Sequence, residues 1–210
     1  RTNCVAVTCG FESINPKTLE YMKKCQTPDD IRKAIKNLHD RGIFINGFLV
    51  FGSDFDSAQT IRDTLAFAIE EKIDTVAFMP MTPFPGTPFF RDLESQGRIF
   101  TKNWELYDVE HVVYHPKLMT PFELYEEIRR CYDIFFGIRN TYTGYKRNLR
   151  KFWHFPWTPY LIISSWNIIK KKLIMKEKIA NRRYRQILYD YSVKGDMHAL
   201  TRLDDPDFDN

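Results

Sequence analysis

The sequence predicts an α/β fold built on a parallel sheet, and three observations carry that prediction. Three short β-rich runs (Val5–Thr8, Ile43–Gly52 and Thr75–Met79) alternate with longer amphipathic ones. The middle run is almost continuously apolar, as a central strand covered on both faces should be, and Asn46 is its one polar interruption. Each run ends in a polar or turn-forming tail: Gly10–Ser13, Gly52–Asp56 and Thr82–Pro88. Strand–helix–strand order implies right-handed crossovers, which bring such tails to one rim, where ligand chemistry gathers. With 210 residues and 43% hydrophobic content, the chain can bury one sizeable core and carry an appendage.

The first strand delivers the lone carboxylate Glu12 onto a strand-to-helix turn. Asn15 can cap the following helix and Pro16 fits its first turn, so a helix over 16–24 is expected with Lys24 on it. A carboxylate and an ammonium so placed can clamp a small zwitterion; alternatively, Glu12 caps the helix and Lys24 is solvated. Thr27-Pro28-Asp29-Asp30 opens a second helix with cap, proline and early acids, and Ile31, Ala34, Ile35 and Leu38 form its apolar face as far as Gly42. Gly52 permits a tight turn after the second strand. Asp54 and Asp56 can cap the next helix or bind a ribose hydroxyl or a metal, capping being the commoner use. That helix starts at Ser57 and turns Ile61, Leu65, Phe67, Ala68 and Ile69 inward. The loop from Met81 to Pro88 carries three prolines and is therefore rigid rather than regular.

Downstream, Trp104, Tyr107, Asp108, His111 and His115 cluster. The two histidines can be read as metal ligands or an acid/base pair, but the adjoining Val112-Val113-Tyr114 alternation suggests a strand with structural histidines. Thr120-Pro121-Phe122-Glu123 opens a capped helix, and Leu124, Ile128, Cys131, Tyr132, Phe135 and Phe136 form its stripe. The four cysteines, Cys4, Cys9, Cys25 and Cys131, match no iron–sulfur or zinc spacing and no disulfide framework, so no metal site is expected in this stretch and the cytoplasm is the expected location.

Charge divides the chain in three. Residues 1–140 hold 17 Lys and Arg against 20 Asp and Glu, residues 141–190 hold 12 against 2, and residues 191–210 hold 2 against 5. The expected domains are residues 1–143, a basic aromatic helical extension over 144–192, and a flexible acidic tail over 193–210. Phe152–Ile169 carries no Asp, Glu, Lys or Arg, but Pro156 and Pro159 break it, leaving too little to span a bilayer. Lys170-Lys171-Lys172 follows, and Ile162, Trp166, Ile169 and Leu173 share a helical face. That combination suits a helix lying on an anionic membrane through residues 145–185, peripheral at the inner membrane face, or else an appendage packed on the domain with a solvated basic side. Interleaved basic and aromatic residues here match no nucleic-acid-binding module, and nucleic acid is not an expected partner.

Five segments occur in an order and spacing that resemble a known family: Gly10–Ile14, Leu38–Ile43, Phe51–Asp56, Thr82–Pro88 and Tyr107–Val113. Over roughly residues 3–140 the chain looks like the C-terminal half of the catalytic domain of radical S-adenosylmethionine (radical SAM) enzymes with an N-terminal cobalamin-binding domain. The resemblance implies the C-terminal half of a partial (β/α)6 barrel, strands four to six, followed by the mainly helical extension. It also implies a [4Fe–4S] cluster on a CxxxCxxC loop. No such loop occurs in these residues, and with Arg1 opening the chain it is expected to be a fragment whose missing N-terminal part binds cluster and cobalamin. Carried over position by position, Glu12 faces the ribose and methionine end of S-adenosylmethionine and Lys24 its carboxylate. Asn46, Gly47 and Phe48 meet ribose or adenine, and Met81, Thr82 and Pro83 meet the adenine. No catalytic residue is assigned. The implied activity is methyl transfer to an unactivated carbon of an apolar or lipid-like substrate through a 5′-deoxyadenosyl radical, supported by a reductant protein. The alternatives are a ring-forming or oxidative enzyme of the same class, or a non-catalytic α/β scaffold acting through its basic arm.

Overall fold

The structure, a computed structural model, describes residues 4–152 and 158–205, with the side chains of all but 145, 147–152 and 158–165. Three strands, β1 (Ala6–Glu12), β2 (Phe44–Phe51) and β3 (Thr75–Pro80), form a parallel sheet in that order. Among the described residues eight helices accompany them: α1 (Pro16–Tyr21), α2 (Pro28–His39), α3 (Ala58–Glu70), α4 (Pro88–Ser95), α5 (Pro121–Phe135), α6 (Ile138–Phe152), α7 (Thr158–Ala180) and α8 (Arg182–Ser192). Short 3-10 helices lie at Trp104–Leu106 and Ala199–Asp204.

The helix starts are set by local chemistry. Asn15, Thr27, Ser57, Thr87 and Thr120 each accept a backbone N–H of the first turn, and proline opens α1, α2, α4 and α5. One face of the sheet is sealed. Phe11, Ile45, Leu49, Phe51, Val76 and Phe78 pack with Ile31 and Ile35 of α2, Ile61, Leu65 and Ala68 of α3, and Leu124, Ile128 and Phe135 of α5. Each such side chain contributes about 1.5–3 kcal/mol by leaving water. The other face, with Thr8, Gly10, Asn46, Phe48, Val50, Ala77 and Met79, is open or half-buried along most of its length.

The outer edge of β3 is closed by side chains rather than by a strand. Asn167 Nδ2 donates to Asp74 O (2.9 Å), Lys170 Nζ donates to Val76 O (2.6 Å), and Phe78 N donates to Tyr132 Oη (3.0 Å). Alternate residues of an edge strand point their backbone groups outward, and α7 and α5 answer three in succession. No described strand pairs with the outer edge of β1.

Two expectations are corrected, and two further observations concern the C-terminal residues. The helix expected over 16–24 ends at Tyr21, because Met22 caps it and Lys23 turns left-handed (φ 54°), so Lys24 lies in the following loop. Val112–Tyr114 is not a strand; one antiparallel bridge joins Ile99 to Tyr114. The Asp108 side chain folds the preceding turn by accepting Glu110 N and His111 N, and Tyr184 Oη, rather than a strand, engages both Val112 N and Val112 O. The stretch expected as a flexible tail includes a helical turn with Ala199 and Leu203 buried, where Thr101 and Asn103 bond to Asp204 and Leu203 O. Finally, α6 runs unbroken through the boundary expected at 143/144. The uncharged run from Trp153 to Trp157 and residues 206–210 lie outside the described residues, as does the side chain of Ile162.

Candidate functional site

The open face is organised by register. Thr8, Asn46 and Thr75 are cross-strand partners, and Gly10, Phe48 and Ala77 form the next row. A polar row therefore crosses the sheet, followed by a largely apolar one. Asn46 Oδ1 and Thr75 Oγ1 are buried without a hydrogen-bond partner, although Asn46 Nδ2 lies 3.5 Å from Thr8 Oγ1. Buried polar atoms are seldom left unpaired, so the acceptor and the hydroxyl on adjacent strands have hydrogen-bonding capacity to spare.

Beyond these rows the pairing of β1 with β2 shifts register between Gly10 and Glu12, and Glu12 takes a left-handed backbone (φ 61°). A left-handed glutamate is uncommon, and such strain concentrates at binding positions. The turn lays the carboxylate back over Gly10: a Cβ built there would meet Glu12 Oε1 at 2.5 Å and Lys24 Nζ at 3.8 Å. A larger residue there would have to displace the Glu12 carboxylate. Lys24 Nζ pairs with Glu12 Oε1 at 2.9 Å, so the two residues singled out from the sequence do meet, and Glu12 is not the helix cap. At 41% and 20% side-chain exposure the pair remains accessible to a ligand.

The other predicted residues divide. Asn46 and Phe48 share the open face with Glu12. Gly47 belongs to the opposite face, where an added Cβ would meet Ile73 Cγ2 and Phe11 Cδ2 at 3.2 Å, so its role there is close packing. Met81 continues the rim by donating its N–H to Phe51 O (2.8 Å), Thr82 is half-buried and Pro83 is buried.

Asp54 and Asp56 are neither caps nor ligands of one centre. Asp56 is wholly buried; its carboxyl accepts from Gly52 N (3.2 Å), Ser53 N (3.0 Å) and Thr18 Oγ1 (2.8 Å), and Ser57 is the cap of α3. This knot ties α1 to the turn after β2, where Gly52 itself is left-handed (φ 98°) and its carbonyl accepts Tyr114 Oη at 2.5 Å. Asp54 pairs with Arg98 and Lys117, each at 2.7 Å. Burial pushes its carboxyl up, but those two hydrogen bonds and charges prevail and hold it below the usual range.

His111 Nδ1 contacts Asp108 Oδ2 at 2.8 Å with its ring edge-on to Tyr184, and His115 sits among Phe100 and Tyr191, where burial and then Arg98 lower its pKa. Among the described residues no three His, Cys, Asp or Glu side chains converge as a metal set. A surface hollow of about 800 Å³, lined by Ile99–Glu105, Asp204 and Asp205, lies elsewhere, and none of the predicted cofactor residues borders it.

Sequence reasoning missed Thr8, Gly10 and Thr75. Alternation along the strands could have placed Thr75 and Thr8 opposite the core face, but pairing them with Asn46 needs a register that only the folded sheet fixes.

The chemistry of these groups can be matched to S-adenosylmethionine, the cofactor that the resemblance implies. Asn46 Oδ1 and the Thr75 hydroxyl suit ribose hydroxyls, Glu12 suits an ammonium or sulfonium, Lys24 suits a carboxylate, and Phe48 offers a flat apolar surface.

No family model matches the chain. Relatives among known proteins are specific. The chain is 35% identical over 127 residues, 60% of its length, to a bacteriochlorophyllide d C-12(1)-methyltransferase of Chlorobaculum tepidum, covering 27% of that protein. It is 27% identical over 131 residues to a bacteriochlorophyllide d C-8(2)-methyltransferase of the same organism, 61% of this chain and 29% of that protein. An anaerobic magnesium-protoporphyrin IX monomethyl ester cyclase of Cereibacter sphaeroides is 25% identical over 157 residues, 75% of this chain and 24% of that protein. The chain thus spans about a quarter of the length of the curated relatives it matches.

Proposed function

We propose, from its homology to radical S-adenosylmethionine enzymes of the cobalamin-binding class, that this chain forms strands four to six of the catalytic (β/α)6 barrel of such an enzyme. The reaction we assign is methyl transfer to an unactivated carbon of an apolar or lipid-like substrate. The single observation that carries this reading is the 35% identity with a named methyltransferase. The unpaired outer edge of β1 and the open sheet face support it, since both suit the other half of a barrel.

S-adenosylmethionine, with a [4Fe–4S] cluster and cobalamin held elsewhere in the whole protein, would supply the radical chemistry and the methyl group. This chain's own residues bind and screen. Glu12 and Lys24 hold the charged amino-acid end, Asn46 and Thr75 satisfy their free hydrogen-bonding capacity on the ribose, and the Met81–Pro83 backbone borders the adenine. Phe48, Val50, Ala77 and Met79 exclude water, which matters for any reactive intermediate.

Calorimetric titration of the protein with S-adenosylmethionine tests the assignment. Glu12→Gln and Asn46→Ala should each weaken binding about tenfold or more, as loss of one charge-assisted or buried hydrogen bond does. Lys102→Ala, on the far hollow, should leave it unchanged. Equal affinity in all three variants would remove the site. The cyclase relative favours a second reading, ring formation, and product mass separates the two: a methyl group gained means transfer, whereas hydrogen lost without added carbon means cyclisation.

A further inference from the structure

α7 exposes apolar residues. Its inward side combines Ile174, packed against the core, with polar residues: Asn167 and Lys170 cap the β3 edge, Glu177 lies 3.9 Å from Arg129, and Lys178 pairs with Asp133. Its outward side carries Trp166, Ile168, Ile169, Leu173, Met175 and Ile179, all between 45% and 62% exposed. Helices on a domain surface usually expose polar side chains, and so large a set of adjacent exposed apolar ones marks an interaction surface. Two neighbouring stripes, Ile168–Lys172–Met175–Ile179 and Trp166–Ile169–Leu173–Lys176, make the face broad and convex, with Lys172 and Lys176 exposed inside it.

We propose that this face of α7 docks on an anionic lipid bilayer, lying in the headgroup region with the lysines toward lipid phosphates. Charge selects the occupant. Lys172 and Lys176 stand exposed on this face, which carries no Asp or Glu, so a second copy of the chain would set like charges against each other. Nucleic acid would satisfy the lysines but strand the six apolar side chains. An anionic bilayer satisfies both sets, and Trp166 matches the preference of tryptophan for the membrane–water boundary. No described helix is long and apolar enough to cross a membrane, so α7 lies on the bilayer.

Co-sedimentation of the full 210-residue chain with phosphatidylglycerol/phosphatidylcholine vesicles, and with phosphatidylcholine alone, tests the proposal. The chain should pellet with the anionic vesicles and release as salt rises. Met175→Glu with Ile179→Glu, and separately Lys172→Glu with Lys176→Glu, should each weaken partitioning at least about tenfold while far-ultraviolet circular dichroism stays unchanged. Three results would overturn it. One is no pelleting with anionic vesicles at low salt; another is pelleting that neither double variant reduces. The third is a dimer in gel filtration, or a complex with duplex DNA, that outcompetes vesicles for the same residues.

Discussion

Asp56 brings a carboxyl group to a position with no solvent exposure and finds three donors there: Gly52 N, Ser53 N and the Thr18 hydroxyl. Ser53 Oγ closes the cluster on Thr18 Oγ1 at 2.8 Å. Removing the carboxyl strands two buried N–H groups, so Asp56→Ala should cost about 3 kcal/mol or more, since each orphaned buried group costs roughly 1–3. Thr18→Val keeps the shape and removes one donor, and should cost about 1–3 kcal/mol. Urea denaturation with an unchanged slope measures both; a loss below about 0.5 kcal/mol for Asp56→Ala, the range of inert surface changes, would show that the knot is not structural. The sequence made most caps legible because capping is a contact within four residues: Asn15, Thr27 and Thr120 act as read, while Ser57 takes the cap that the reading offered to Asp54 and Asp56. It left Asp56 ambiguous because its decisive partner, Thr18, lies 38 residues away.

The edge strand β3 shows how an element becomes dependent on a distant helix. Its outward backbone groups at Asp74, Val76 and Phe78 are met by Asn167, Lys170 and Tyr132. Burial lowers the Lys170 pKa, yet the short bond to Val76 O and the Phe136 ring 5.6 Å away keep a cation acceptable there. Tyr132→Phe leaves the Phe78 N–H without its acceptor and should destabilise the protein by about 1–3 kcal/mol. Amide hydrogen exchange separates this from a loss of ring packing: protection should fall at Phe78 and persist at Ala77, which faces β2. Equal loss at both amides would mean that the sheet as a whole had loosened. The sequence identified the ingredients of α7, an uncharged run followed by lysines, without showing which side packs. Apolar and polar residues alternate around this helix with little periodic bias, so only the position of the β3 edge settles that Asn167 and Lys170 face inward.

Across the whole molecule the α/β architecture was legible because strand and helix periods are local, whereas the Thr8–Asn46–Thr75 row and the Asp54 clamp depend on pairings between distant segments. Asp54 joins the turn after β2 to Arg98 beyond α4 and Lys117 before α5. Its folded-state pKa is depressed, so its contribution is fully present above the unfolded value of about 3.9 and disappears as pH falls through the lower folded value. Asp108, pushed up by burial but pulled further down by His111 and two backbone N–H groups, acts with the same sign. Glu110 and Glu177 oppose them. Burial raises both, with Asp108 adding to Glu110 and Glu110 to Glu177, so protonating them as pH falls through their raised values favours the folded state. His115 acts the other way, because its pKa is lowered in the fold and the unfolded chain takes up the proton first as pH falls below about 6.5, so thermal stability should stay nearly level on mild acidification and then fall once pH passes below about 4. Asp54→Asn should lower the melting temperature by a constant amount above about pH 5, with the gap to the parent protein closing below about pH 4 as the parent's own Asp54 protonates. Glu177→Gln should remove part of the compensation for His115, so that stability declines sooner on mild acidification, and leave the steep acid limb in place. Differential scanning calorimetry across that range reads both effects, and an Asp54→Asn gap that stays undiminished to about pH 3 would show that Arg98 and Lys117 do not hold the carboxyl down.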